Sequence, residues 1–311
     1  MKIPLANVKR FFAFCNERHA IYLRRQRGDA WPWTTDEILQ KYKFTNVYRE
    51  LDAGTVWLRK HIREPYMSHE ELFFNIAIYR RYNRIECAEF LGFIDNYTPA
   101  YEAHVEEYKR KGGKVFTSAY MTCAGIRDKD GTLSKSKVHQ IFGIGFTALW
   151  ERRKELEPTY DDNLQSAFDR FLAAKIPSFG PFIIYEIVSD LRWTRYLQNA
   201  NDIMLWANPG PGAGRGIGRI LGYDVRWNKE KFTYHEYVTQ RSNYQDRDMQ
   251  LYMMQYLLDK SNTYLESYMP PMEMRDVEHS LCEWIEFRCG PVATWIRWHC
   301  GQSTKLLPAP D

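Results

Sequence analysis

Long apolar stretches are missing from this sequence. No run among the 311 residues approaches the roughly 18–20 apolar residues needed to cross a bilayer. The first residues, Met-Lys-Ile-Pro-Leu-Ala-Asn, also lack the apolar core of a secretion signal. These absences predict an intracellular protein without a membrane partner.

Cysteine is scarce and scattered. The 6 cysteines form no CxxC pair, and the C-terminal trio of Cys282, Cys289 and Cys300 is too widely spaced for an iron–sulfur cluster, which needs four close cysteines. The sequence therefore predicts free thiols. It also contains no GxxxxGK[ST] loop, which removes the main requirement of a phosphate-loop kinase.

Charge of one sign is not in large excess. The chain has 43 Lys and Arg against 39 Asp and Glu, a net charge of +4. This balance permits a nucleic-acid partner without requiring one. Aromatic residues are abundant instead, with 10 Trp, 21 Tyr and 17 Phe, and this supply of core material excludes a disordered chain.

Helical periodicity dominates and predicts a mainly α fold. Residues 7–27 place Val8, Phe11 and Cys15 at helical spacing, and Gly28 ends the run. The alternating β-formers of 114–133 predict a small β-hairpin or an irregular insert. Further helices are predicted at about 34–44, 46–61, from a Ser68 cap onward, and at 85–92, 98–111, 135–155, 161–174, 243–260 and 273–289.

A short turn between two amphipathic segments is typical of a helix-hairpin-helix. It consists of Pro177, Ser178, Phe179 and Gly180, with Ser178 where the usual Leu-Pro-Gly-x-Gly hairpin has its first glycine. Backbone N–H groups of such a turn bind a DNA phosphate. The alternative is an ordinary αα-corner.

The glycine-rich segment 208–218 offers backbone N–H groups from Gly212 and Gly214 and a cation from Arg215. This combination favours a loop that binds a phosphate or the DNA backbone. The alternative is a flexible surface loop.

Two blocks combine charge with aromatic, core-like helices. The N-terminal block, residues 17–52, contains Arg24, Arg25, Arg49 and Asp52 beside Trp31, Trp33 and Tyr48. Arginine with aromatics suits phosphate binding and base stacking, although buried salt bridges are the alternative. The C-terminal block holds Glu278, His279 and Glu283, which suit a general base or a metal site; a solvated acidic face is the alternative. We expect the two blocks to meet.

The two blocks also resemble a known family. ERHAIYLRRQRGDAWPWTTDEILQKYKFTNVYRELD and DVEHSLCEW are similar to the helical domain of phage thymine-hypermodification proteins. These include the α-glutamyl/putrescinyl thymine pyrophosphorylases, or amino acid:DNA transferases, and the same domain occurs with the 5-hydroxymethyluracil DNA kinases. The resemblance spans about residues 8–290.

The resemblance implies a helical fold related to helix-hairpin-helix DNA glycosylases, in a phage protein of the host-cell cytoplasm. We expect one DNA-base-modifying domain over 1–311, or two lobes of about 1–134 and 135–311 with the active-site cleft between them. The implied partners are double-stranded DNA containing modified thymine and a small amine or amino acid.

The implied reaction replaces the phosphate or pyrophosphate of activated 5-hydroxymethyluracil in DNA with an amine. No cofactor is certain, and Mg²⁺ on the leaving pyrophosphate fits the scheme. Residues with matching chemistry fall into four groups: catalytic Glu278, His279, Glu283, Asp52 and Arg49; phosphate-binding Arg24, Arg25 and Arg215; DNA-binding Pro177, Ser178, Phe179, Gly180, Gly212 and Gly214; and base-stacking Trp31, Trp33 and Tyr48.

Two other functions remain open at this point. A helix-hairpin-helix DNA glycosylase would need a carboxylate near position 208, where this chain has Asn208, and an amide cannot stabilise a glycosyl cation as a carboxylate does. A non-catalytic DNA-binding module would need the basic and aromatic blocks but not the acidic C-terminal helix.

Overall fold

The computed structural model describes residues 3–117, 136–223 and 246–287. Within these ranges the protein is mainly helical and contains no β-strand, which confirms the predicted fold class. The predicted hairpin over 114–133 falls largely outside the described residues, and residues 114–117 are irregular.

The described ranges contain the following α-helices. They are α1 (Leu5–Gln26), α2 (Glu37–Lys41), α3 (Ala53–Leu58), α4 (Leu72–Tyr82), α5 (Ile85–Leu91), α6 (Ala100–Arg110), α7 (Thr147–Leu156), α8 (Leu164–Ala173), α9 (Pro181–Leu191), α10 (Pro211–Ile220), α11 (Arg247–Tyr264) and α12 (Met274–Phe287). A 3₁₀ turn covers Arg49–Leu51, and π-helical turns cover Arg59–Arg63 and His139–Phe146. The chain divides into one compact unit of Met1–Asp52 with Ile203–Asp311 and a second unit of Ala53–Asp202.

The first unit forms around α1, α10, α11 and α12. The apolar face predicted for the N-terminal helix is fully buried, including Phe11 and Cys15. The rings of Phe11 and Phe14 lie 6.2 and 5.8 Å from that of Trp284 on α12. These contacts place α1 and α12 in one core.

The glycine-rich segment is helix α10, so the predicted loop is wrong. Gly210 is its N-cap and Pro211 occupies the first turn, a position where proline loses no hydrogen bond. The glycines let α10 approach α12 closely: a Cβ on Gly216 would lie 2.4 Å from the Leu281 carbonyl oxygen, and one on Gly212 would lie 2.8 Å from Cys282 Sγ. Packing thus overrides the poor helix propensity of glycine.

Some observed helix boundaries differ from the predicted ones. The single helix predicted over 46–61 is wrong, since the α-helix begins only at Ala53. The side-chain amide of Asn46 donates to the Leu51 carbonyl, and the backbone N–H of Asn46 donates to Asp52 Oδ1. Such contacts compete with the helical backbone. The predicted Ser68 cap is also wrong, since Glu71 is the N-cap of α4.

A buried ion pair connects helices of the second unit. Arg80 on α4 pairs with Asp190 on α9 through both Nε and Nη2, the latter 2.8 Å from Asp190 Oδ1. Arg80 Nη2 also donates to Thr55 Oγ1 at 2.9 Å, and Arg63 Nη1 lies 3.7 Å from Asp190 Oδ1. Because Asp190 is fully buried, the cations around it offset the loss of water.

The contact between α10 and α12 leads to a first prediction. Gly→Ala within a helix ordinarily stabilises by about 1 kcal/mol. For Gly216→Ala we expect the opposite sign, a loss of about 1–3 kcal/mol, because the new methyl group would overlap the Leu281 carbonyl. Urea unfolding measures the difference.

The matched control is Gly180→Ala in the second unit, where an added Cβ meets no atom within 4 Å. Its free energy of unfolding should change by less than about 1 kcal/mol. A stabilised Gly216→Ala variant would contradict the packing role of this glycine.

Candidate active site

Thr45 links the N-terminal block to α12. Its backbone N–H donates to Glu283 Oε2 at 3.0 Å, and its hydroxyl shares a hydrogen bond with His279 Nε2. His279 and Glu283 lie one helical turn apart, so both side chains leave α12 on the same face. This geometry confirms the expectation that the two blocks meet.

Arg18 of α1 reaches the same place. Only 8% of this residue is exposed, and its Nη2 donates to the Phe44 carbonyl at 2.9 Å and to Asn46 Oδ1 at 3.0 Å. Its Nη1 is buried and has no hydrogen-bond partner among the described residues. Arg18, Thr45, Asn46 and Glu283 line a small recess that is too narrow to admit a water molecule.

Arg49 and Asp52 complete the cluster from the end of the N-terminal block. Arg49 Nη1 lies 3.2 Å from Asp52 Oδ2, and Asp52 Oδ1 accepts from the N–H of Asn46 at 2.9 Å. Beside them, Arg275 Nη1 lies 3.6 Å from Glu50 Oε1. We refer to Arg18, Thr45, Arg49, Asp52, His279 and Glu283 as the Thr45 cluster.

Burial sets the protonation of the two α12 residues. It raises the pKa of Glu283; the N–H of Thr45 and Arg18 oppose this shift, while Asp52 adds to it. Burial also lowers the pKa of His279 well below its usual value, and Arg49, Arg275 and Arg18 push in the same direction. The cluster therefore contains a neutral imidazole beside a carboxyl group with increased proton affinity, a combination typical of functional sites.

Glu278 faces a different neighbour. Its Oε1 accepts from the N–H of Gly210 at 3.3 Å and lies 3.6 Å from Cys282 Sγ. A carboxylate at the start of α10 is favoured by the partial positive charge of a helix N-terminus. Arg215 lies on the same helix and is half-buried.

The predicted phosphate-binding and stacking residues of the N-terminal block mostly contact one another. Arg24 donates to Glu17 Oε1 at 2.9 Å and to the Trp33 carbonyl, while the guanidinium of Arg25 lies 5.0 Å from the centre of the Trp33 ring. Trp31 is 49% exposed and is accessible for stacking.

Tyr48 is the third predicted stacking residue, and it is buried. Its hydroxyl donates to the Pro270 carbonyl, and its ring meets that of His19 edge-on, with ring centres 5.1 Å apart.

The predicted hairpin turn lies between α8 and α9 in the second unit. Ser178 has a φ of +70°, a conformation that glycine adopts more readily, which agrees with its place at a glycine position of the motif. Phe179 is buried, and Gly180 is exposed as the N-cap of α9. Pro177 lies against Gly145, since a Cβ there would be 2.9 Å from the Pro177 carbonyl oxygen. DNA binding by this turn stays a prediction.

Sequence reasoning missed Arg18, Thr45 and Asn46 as site residues. Arg18 did carry a signal, because it follows Phe11 and Cys15 at helical spacing on an apolar face, where arginine is rare without a partner. Thr45 and Asn46 carried no comparable signal, since their roles depend on a non-helical connection.

Metal binding and membrane insertion find little support in the described ranges. No three His, Cys, Asp or Glu side chains there lie close enough together to hold a metal ion. A Mg²⁺ ion on the leaving pyrophosphate stays a prediction, because such an ion needs only one or two protein carboxylates beside the phosphate oxygens. No described helix is both long and apolar enough to cross a membrane.

Asp276, at the start of α12, leads to a pH prediction. Burial raises its pKa to about 7, although the N–H of Glu273 donates to it. The native carboxyl group thus keeps its proton between about pH 4 and 7, where the unfolded chain releases it. This contribution to stability is present at low pH and is lost as the pH rises through that window.

We expect Asp276→Asn to be more stable than wild type at pH 8, on the order of a few kcal/mol, with little difference near pH 4. Urea unfolding at pH 4, 6 and 8 measures this, with Asp259→Asn on the exposed face of α11 as control. Equal pH dependence in wild type and Asp276→Asn would contradict the assignment.

The chain is similar to proteins of one known family. The family described as "5-hmdU DNA kinase, helical domain" matches residues 6–289. A 5-hmdU DNA kinase of Bacillus phage SP10 is 28% identical over 225 residues, which cover 67% of this chain and 35% of the relative. The chain thus spans about a third of that relative's length.

No solved structure matches the chain, so the likeness to helix-hairpin-helix DNA glycosylases stays a prediction. The family match, by contrast, covers nearly all of the described helices, from α1 to α12. The protein therefore belongs to the 5-hmdU DNA kinase helical-domain family of phage thymine-hypermodification proteins.

Proposed function

We propose that this protein modifies 5-hydroxymethyluracil in phage DNA by replacing the phosphate or pyrophosphate of the activated hydroxymethyl group with an amine, such as an amino acid. The observation that supports this best is the Thr45 cluster. It brings a buried arginine with an unpartnered nitrogen next to a carboxyl group and a neutral imidazole.

The reaction needs an anion-binding group and a base. The nitrogen of the amine attacks the methylene carbon on C5 of the base, and the bond from that carbon to the phosphate oxygen breaks. The leaving group departs as an anion, which a guanidinium stabilises. We assign this task to Nη1 of Arg18, which is buried and has no hydrogen-bond partner among the described residues.

The attacking amine must also lose a proton. We assign Glu283 as the group that accepts this proton. Burial raises the pKa of its carboxyl group, and a general base works best when its pKa is close to the working pH. His279 holds Thr45 in place through the Thr45 hydroxyl, and Thr45 in turn orients Glu283. Arg49 and Asp52 fix the connection on which Thr45 lies.

Substrate access requires movement, because the recess has no room for a water molecule. Thr45, Asn46 and Val47 contribute much of its lining, and residues 44–47 are non-helical. Displacing them would open the path to Arg18 and Glu283. An extruded base could then enter, with exposed Trp31 as a stacking surface.

A second function is supported by the extent of the family match. The chain covers 35% of a relative that is named a kinase, and it contains no phosphate loop of its own. A module that binds 5-hydroxymethyluracil DNA for a kinase would fit both facts. It would not require the ionisable groups of the cluster to be intact.

Nucleoside mass spectrometry distinguishes these functions. Wild-type protein is incubated with duplex DNA carrying phosphorylated or pyrophosphorylated 5-hydroxymethyluracil and a panel of amines. We expect an aminomethyl-linked base with the N-glycosidic bond intact. An abasic product would identify a glycosylase instead, and no product with any amine would favour the binding module.

Variants test the roles within the cluster. Glu283→Gln and Arg18→Met should each reduce transfer by on the order of 10²-fold or more, since each removes an acid–base or charge-stabilising group. Glu89→Gln, an exposed residue of α5, is the matched control and should retain wild-type activity. Full activity of Glu283→Gln would show that another residue accepts the proton.

The hairpin turn leads to a separate prediction about DNA affinity. A Cβ on Gly180 meets no atom within 4 Å, so Gly180→Glu adds negative charge at the α9 N-terminus without a steric clash. If the turn contacts a phosphate, this variant should bind all duplexes more weakly and lower the salt slope by about 1. Gly180→Ala is the control, and unchanged binding by Gly180→Glu would remove the turn from the interface.

A further inference from the structure

Two adjacent buried arginines of α4 differ in their hydrogen-bond and ion-pair partners. Arg80 and Arg81 are each only 2% exposed. Arg80 is paired with Asp190 and also donates to Thr55. Arg81 has no hydrogen bond or ion pair with any described residue, and its Nε is buried without a partner. Among the described residues, Arg80 is therefore a buried guanidinium with a counter-ion, and Arg81 is a buried guanidinium without one.

A second cation, Lys137, lies near enough to Arg81 for the two charges to interact. The N–H of Thr117 donates to the Tyr82 carbonyl at 3.2 Å, which places residues 116–117 against the end of α4. Lys137 Nζ lies 4.4 Å from the centre of the Phe116 ring, and Lys137 is half-buried. Lys137 is therefore the more accessible residue of the pair, since Arg81 is buried.

The electrostatics of the pair agree with this geometry. Burial lowers the pKa of Arg81 to about 10, and no carboxylate of the described residues acts in the opposite direction. Burial also lowers the pKa of Lys137, and the charge of Arg81 adds to the effect. A buried charge without a counter-ion destabilises the protein that holds it. A bound anion that is not part of the protein would supply the counter-ion for Arg81 and Lys137.

We propose that Arg81 and Lys137 form a phosphate-binding site in the second unit. A guanidinium binds two phosphate oxygens at once through its fork of N–H donors, and an ammonium adds a point charge. The phosphate enters from the Lys137 side. It belongs either to the DNA backbone or to a free phosphate or pyrophosphate, and the proposal does not depend on the amine transfer.

Thermal unfolding of the whole chain tests the charge imbalance first. In phosphate-free buffer, Arg81→Met should unfold at the same temperature as wild type or higher, because it removes an uncompensated charge. Arg80→Met is the matched control with the same burial, and its Tm should fall because Asp190 loses its partner. A fall in Tm for Arg81→Met as large as that for Arg80→Met would overturn the proposal.

Adding ligand tests binding itself. Inorganic phosphate or pyrophosphate, compared with sodium chloride of equal ionic strength, should raise the Tm of wild type by on the order of 2–4 °C at saturating concentrations. Arg81→Met and Lys137→Met should lose most of this shift. An equal shift in wild type and Arg81→Met would mean that phosphate acts elsewhere or through the solvent, which contradicts the proposal.

Duplex DNA distinguishes the two sources of phosphate. If the site takes the DNA backbone, Arg81→Met should lower the salt slope of duplex binding by about 1. If it takes a free phosphate or pyrophosphate, the salt slope should stay unchanged while the Tm shift is lost. Absence of both effects would overturn the site.

Discussion

The hydrogen bonds of Thr45 hold the candidate active site together. One residue uses its backbone N–H for Glu283 and its hydroxyl for His279, so it fixes the non-helical end of the N-terminal block to α12. Arg18 depends on the same connection, because it donates to Phe44 and Asn46 on either side of Thr45. Thr45 therefore donates directly to the half-buried carboxyl group of Glu283 and lies between the two residues that accept from buried Arg18.

The position of α12 depends in turn on the glycines of α10. The close approach at Gly216 and Gly212 leaves no space for side chains between the helices. Trp284 of α12 also packs against Phe11 and Phe14 of α1. The polar cluster is therefore supported by apolar packing, which keeps water out and strengthens the interactions between its charges.

The buried arginines fall into two classes, with and without a full set of partners. Arg80 is matched by Asp190 and stabilises the second unit, whereas Arg18 and Arg81 each keep at least one nitrogen without a described partner. Unmatched charge reduces stability, and proteins tolerate this at sites where binding or catalysis requires it. This contrast connects the energetics of the fold with the two proposed sites.

The sequence predicted well those features that depend on local patterns. The periodicity of 7–27 predicted α1, and the two charged blocks were correctly expected to meet. It failed where a distant contact overrides local preference. Gly212 and Gly216 indicate a loop until α12 is known to pack against them, and Asn46 interrupts a helix through bonds to Leu51 and Asp52 that helical spacing does not reveal.

A crystal structure of the protein bound to duplex DNA carrying phosphorylated 5-hydroxymethyluracil is the most direct test of the central claim. The account predicts that residues 44–47 are displaced, that the modified base is extruded, and that its phosphate contacts Arg18 with Glu283 near the methylene carbon. A complex with the base bound elsewhere and the Thr45 hydrogen bonds intact would contradict it.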